Sequence, residues 1–185
     1  MNYLKYFIYI FGTALFAPAA FSAGVAFPAL QFLVGNWEAE SKPGEATAHF
    51  EFSLDLQGKA LIRHNHVEYP AVAGKAPVVH EDLLVTYQEG VPVVTRAAYF
   101  DSDGYVARYA ATTSGAGQVV FVSDPVAKVA RYRLTYTLLP DGRLDAKLEV
   151  AQAGKPNAFA NYLGWVSKKV TGNQPSAAAP PVGKP

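Results

Sequence analysis

The sequence predicts an all-β protein: a single up-and-down antiparallel barrel of about ten strands, preceded by a short helical turn. Three observations carry that expectation. Short segments rich in Val, Tyr, Phe and Thr recur at fairly even intervals, separated by Gly, Pro, Asp and Asn. No stretch of the central chain shows the periodicity of an amphipathic helix. Ten sequential strands in a chain of 185 residues would leave open edges unless the sheet closed on itself.

The two ends read differently from the middle. Residues 1–26 have the layout of a secretory signal: Lys5 near the start, an apolar run from Tyr6 to Phe21 broken by Pro18, then small residues. Cleavage is expected after Ser22, Ala23 or Ala26, and Gly24-Val25-Ala26 fits the small-x-small pattern best. The run is too short and too interrupted for a bilayer span, so no membrane segment is expected after cleavage. Residues 171–185 read TGNQPSAAAPPVGKP, a Pro, Ala and Gly tail with almost nothing bulky to bury. Residues 27–170 are left as one barrel domain of an exported protein, periplasmic or extracellular.

The absence of cysteine excludes disulfides, thiolate metal sites and lipid attachment through an N-terminal thiol. Without Lys5 the positive and negative side chains balance, and no basic stripe of the kind nucleic-acid binders carry is visible. No oligomeric state follows from the sequence.

The strands are expected at 36–41, 46–55, 60–69, 82–87, 93–100, 105–112, 118–123, 131–138, 143–151 and 159–168, with Pro28 to Val34 as the helical turn. At Leu139-Pro140-Asp141-Gly142-Arg143, a three-residue turn ending in Gly pairs Leu138 with Leu144. Tyr132, Leu134, Tyr136, Leu138, Leu144, Ala146, Leu148 and Val150 then form a core face. Arg133 across from Glu149, Thr135 across from Lys147 and Thr137 across from Asp145 form a solvated one. At the tip Asp101-Ser102-Asp103-Gly104, a two- or four-residue loop puts Arg96, Ala98, Phe100, Tyr105, Ala107 and Tyr109 on one face. That face is the more aromatic and is expected to point inward, which would bring Arg96 into the barrel beside Tyr109. A guanidinium placed there needs a carboxylate, a carbonyl or an anionic ligand; a shifted register would leave Arg96 in solvent instead.

Gly35-Asn36-Trp37, at the entry to the first strand, resembles the G-x-W signature of lipocalins and other calycins. The resemblance implies that Trp37 plugs the closed end of a barrel and that Lys168 or Lys169 lies across its ring. The stretches RAAYFDSDGYVARY (96–109), FVSD (121–124), RYRLTY (131–136) and FANYLGW (159–165) are similar to an uncharacterised family of exported bacterial barrels of lipocalin-like and nitrobindin-like pattern. That resemblance implies a fold and not an activity, because such barrels host unrelated functions. The family pattern has His after the hairpin-tip Gly where this chain has Tyr105, so a titrating group there is not essential. Nitrobindin-like proteins hold haem through a His on a late strand. All four histidines here, His49, His64, His66 and His80, fall in the first half, so haem is not expected.

Arg63-His64-Asn65-His66-Val67-Glu68 is the most suggestive local cluster, since His64, His66 and Glu68 share one face of a strand at ~6.6 Å intervals. A cupin reading fails for want of a later His. A three-ligand metal site from His64, His66 and either His80 or Glu68 stays open, but alternation along a strand often yields two exposed histidines on a polar barrel face, so no metal and no cofactor are expected. No serine lies in a G-x-S-x-G context and no phosphate loop is present. The leading expectation is a barrel that binds a small apolar or anionic ligand through Arg96, Tyr109, His64 and His66. One alternative is a lyase, isomerase or hydrolase using a His or Glu in the cavity. The other is an envelope-associated interaction protein with a packed core.

Overall fold

The computed structural model describes residues 27–171. The expected leader, and all of the expected tail except Thr171, lie outside the described residues. A 3-10 turn, Pro28–Leu33, leads into β1 (Gly35–Ala39). Nine further strands follow: β2 (Thr47–Asp55), β3 (Ala60–Tyr69), β4 (Val78–Glu89), β5 (Val94–Asp101), β6 (Val106–Thr113), β7 (Gln118–Ser123), β8 (Arg131–Leu138), β9 (Leu144–Ala151) and β10 (Ala160–Val170). Every strand pairs antiparallel with its neighbours in sequence, and β1 pairs with β10, so the ten strands close an up-and-down barrel. Closure leaves no edge to solvent, as the even spacing of the strands predicts. Among the described residues no helix is long and apolar enough to cross a membrane.

One end of the barrel is shut. Trp37 is buried and donates its indole N–H to the Leu33 carbonyl at 2.7 Å, fastening the 3-10 turn across the opening. Phe27, Leu30 and Leu33 pack beneath it. Phe50 stacks on Trp37 with centroids 6.5 Å apart, and Phe52 meets Tyr136 edge-on at 5.5 Å. Lys169, of the two candidates Lys168 and Lys169, lies over the Trp37 ring, its Nζ 5.3 Å from the centroid. Gly35 makes that approach possible: its φ is +126°, and a Cβ there would stand 2.6 Å from Lys169 Cε. Lys168 points outward to Glu38, 3.3 Å away.

The hairpin of β8 and β9 has the expected register, with Leu138 opposite Leu144 and Gly142 at φ 84° closing the three-residue turn. The tip between β5 and β6 differs from expectation, and for a physical reason. It is the same kind of turn: Asp101 N–H donates to the Tyr105 carbonyl, Gly104 N–H donates to the Asp101 carbonyl, and Gly104 takes φ 83°. Phe100 therefore faces Val106, and Ala97 faces Tyr109. A loop one residue different in length moves every side chain of one strand to the other face. Arg96 accordingly shares the outer surface with Arg108 and Ala98, while Tyr99 and Tyr109 turn inward. The other large difference is β4, which runs from Val78 to Glu89 and so extends beyond the expected 82–87 at both ends.

On the outer wall, Glu149 accepts from Arg133 Nε at 2.6 Å and pairs with Lys147 Nζ at 2.9 Å. Arg133 holds the carboxyl down to about 2, with Lys147 adding to it against the opposing effect of burial. A carboxyl depressed in the folded state stabilises above its unfolded value, about 4.3, and loses that contribution as pH falls toward 2. Both cations are partly solvated, which screens the gain. Glu149→Gln is expected to cost ~1–2 kcal/mol at pH 7 and almost nothing near pH 2. Urea denaturation of both proteins at the two pH values checks this; a gap that does not narrow in acid refutes it.

Candidate functional site

Strand pairing decides what lines the interior. From Phe50 opposite Asn65, Phe52 opposite Arg63 and Leu84 opposite Tyr99, the inward positions follow around the wall by alternation. Toward the Trp37 end they are sealed: Phe50, Phe52, Leu61, Val119, Tyr136, Leu144 and Ala146 are all buried. Toward the other end the same inward rows keep accessible surface. Ala48, Tyr99, Ala107, Tyr132, Leu148 and Trp165 are half-buried, while Tyr105 is 39% and Leu163 49% exposed. The barrel thus has a packed floor and, at the other end, a mouth whose inward side chains keep accessible surface.

Between the two halves sits a buried ionic network. Arg63, reaching inward from β3, donates to the Tyr136 hydroxyl across the barrel and to Asp82 Oδ1 on β4. Asn65 Nδ2 donates to the second Asp82 oxygen at 2.8 Å. The pair is 5% and 6% exposed, so neither charge could remain there without the other. Burial works against the Arg63 charge, and Tyr136 and Asp82 more than restore it. Arg63 Nε and the Thr86 hydroxyl are buried and have no partner among the described residues. At the rim His80 stands between Asp82 and Asp103, its Nε2 3.9 Å from the first and its Nδ1 3.4 Å from the second.

Above this network four tyrosines form a corner of the mouth. Tyr99 lies 6.3 Å from Tyr105 and 6.4 Å from Tyr109, and Tyr105 lies 6.3 Å from Tyr132, with interplanar angles of 59–70°. Their hydroxyls make no hydrogen bond among the described residues, unlike that of Tyr136. Burial pushes the Tyr99 hydroxyl far above its ordinary value, the Asp82 carboxylate adds to this, and Arg63 opposes it. Burial, then the neighbouring Tyr105, do the same for Tyr109. Tyr99 and Tyr109 therefore act as neutral donors and as π faces, not as phenolates.

Of the residues singled out in the sequence, only Tyr109 belongs to this wall. Arg96 is on the outside, bonded to Asp124 and 3.5 Å from Glu89. His64 and His66 also face outward, because Leu61, Arg63 and Asn65 take the inward positions of β3. His66 meets Glu81 at 3.2 Å and stacks on His49 with ring centroids 4.7 Å apart. Among the described residues no group of three or more ligands could hold a metal. Arg63, Asp82, Tyr99 and Tyr132 are the residues the sequence reading missed as site candidates. The signal that was available is the polar alternation of His80, Asp82 and Arg63 with Leu84 and Leu61, which points to the core only if a buried ion pair is anticipated.

These features define a class: a closed ten-stranded barrel with a plugged floor, an ionic mid-layer and an aromatic, solvent-reached mouth. Compared with known proteins, the chain matches no family model and no curated protein. A separate open cleft of about 270 Å³ lies outside the mouth, between Pro125–Val129 and Gly154–Pro156, and gathers no chemically matched groups.

The mid-layer makes a stability prediction. Asp82→Ala strands the Arg63 charge and is expected to cost ~3–5 kcal/mol. Arg63→Met combined with Asp82→Leu is expected to cost less than that single change. Denaturant midpoints of the variants decide it; a double variant less stable than Asp82→Ala means that a stranded Arg63 charge is not what makes the single change costly.

Proposed function

We propose that this protein is an exported binding barrel that takes a small, partly apolar molecule into its mouth. The observation that carries the reading is the contrast along single strands: inward side chains are sealed at the Trp37 end and accessible at the other. Apolar walls with a few convergent polar groups are what small-molecule sites usually offer. Here Leu148, Leu163 and Trp165 supply the apolar wall, and the Tyr99, Tyr105, Tyr109 and Tyr132 hydroxyls the polar one. The leader-like residues 1–26 support export, since their layout is that of a secretory signal. Arg96, the expected anchor for an anion, is occupied by Asp124, and Arg63 is occupied by Asp82. An uncharged or cationic guest suits the mouth better than an anionic one.

A second reading, a lyase, isomerase or hydrolase in the same space, draws on one observation. His80 is the one histidine of the four on an inward position, and it neighbours Asp82 as a general base and its orienting carboxylate would. Turnover of any substrate found for the protein that survives His80→Ala removes it.

The binding reading is tested with N-phenyl-1-naphthylamine, a neutral probe that brightens in apolar surroundings. The wild type is expected to enhance its fluorescence saturably, and Leu163→Arg at the mouth to weaken binding at least tenfold. Phe100→Arg, on the outer surface, is expected to leave it unchanged. No saturable enhancement, or loss through Phe100→Arg instead, rejects the interior site.

A further inference from the structure

On the wall of β4 and β5 at the mouth, acidic side chains outnumber basic ones. Asp82 and Asp101 are direct partners across β4 and β5, both on the inward side. Carboxylates placed opposite one another repel unless a cation stands between or beside them. Arg63 serves Asp82. Asp101 has no ion pair among the described residues; its Oδ1 accepts only the backbone N–H groups of Asp103 and Tyr105, at 3.1 and 2.8 Å. Asp103 at the same rim, its side chain largely exposed, stands 3.4 Å from His80 and has no other ion-pair partner among the described residues. One guanidinium therefore faces three carboxylates at this end of the wall, with His80 among them. The nearest basic side chains on adjoining strands are turned away or engaged: Arg108 faces outward, and Arg131 is bonded to the Ser123 and Pro156 carbonyls.

The same corner is walled by π faces. Tyr99 and Tyr105 flank Asp101 in sequence and space, and Tyr109 and Tyr132 complete the group. Tyr109 is 7% exposed, its side chain points into the mouth, and its hydroxyl has no hydrogen-bond partner among the described residues. Ring faces attract a cation through their quadrupoles, and more so where water is partly excluded. Carboxylates behind aromatic walls favour the same guest, an ion with apolar substituents that can touch the rings while its charge is felt by Asp101. Among the described residues no three carboxylates or histidines are arranged to hold a metal ion, which favours an organic cation over an inorganic one.

We infer that the mouth selects small organic cations of the alkylammonium class, seated against Tyr99, Tyr105 and Tyr132 with Asp101 as the countercharge. This rests on the binding reading above and sharpens it from a partly apolar guest to a positively charged one. Asp101 and the tyrosines contribute no covalent step; they recognise charge and shape.

The test compares three probes of nearly equal shape: choline, its uncharged isostere 3,3-dimethylbutan-1-ol, and 3,3-dimethylbutanoate. Each is titrated into the full chain while the tyrosine ring resonances are followed by NMR, and each is also used to displace N-phenyl-1-naphthylamine. Choline is expected to bind at least tenfold more tightly than the alcohol, with the carboxylate weakest, and to shift the Tyr105 and Tyr132 ring signals. Tyr105→Leu and Tyr132→Leu are expected to reduce the choline preference severalfold, whereas Tyr132→Phe, which keeps the ring face, retains it. Asp101→Asn, which keeps the turn-capping oxygen, is expected to bring choline close to the alcohol. An alcohol or carboxylate that equals or outranks choline overturns the inference. If N-phenyl-1-naphthylamine enters and choline shows no advantage, the charge assignment alone fails; if none of the probes enters, the binding reading fails with it.

Discussion

A guanidinium inside a barrel must be matched, and the pairing of Arg63 with Asp82 is the constraint around which the interior is organised. It ties β3 to β4 and, through the Tyr136 hydroxyl, to β8 on the far wall. Below it the side chains are apolar and sealed; above it they are aromatic, polar and reached by solvent. Removing water from such a pair is costly, so it is retained only where its partners are fixed by the sheet. The register of β2 through β5 fixes them: Asn65 stands opposite Asp82, and Arg63 opposite Leu84 beside it.

Floor and mouth are complementary solutions to one problem of geometry. A ten-stranded ring is wider than a pair of side chains, and its centre must be filled or left open. Trp37, Phe50, Phe52 and Tyr136 fill it at one end, and the 3-10 turn caps them. Toward the mouth Ala48 and Ala107 stand where large side chains would be needed to close the space. The tyrosines that rim it are stiff, amphipathic groups that hold position with little help from hydrogen bonds.

The outer wall has a different character on its two sides. Arg133, Lys147 and Glu149 form a tightly bonded cluster, with Arg133 also lying 4.5 Å over the Phe159 ring. Leu83, Phe100 and Val106 make the outside of β4 to β6 more apolar, and Arg96 is held there by Asp124. Histidines that attract attention in the sequence, His64 and His66, sit on this exterior among Glu51 and Glu81.

By itself the sequence determined the number of strands, their order, the closure of the sheet and the full register of the β8–β9 hairpin. It could do so because alternation with period two and a Gly-ended turn leave one consistent facing there, with the large apolar residues on one side. Tertiary structure alone decided the inward face of β3, where Leu61 and Ile62 are both apolar and local pattern offers no preference. It also decided the length of β4, whose first residues up to His80 look like loop until they pair with β3. The turn at Asp101 shows the same limit from the other direction. One residue of loop length separates Arg96 in the core from Arg96 in solvent, and only the pairing of β5 with β6 selects between them.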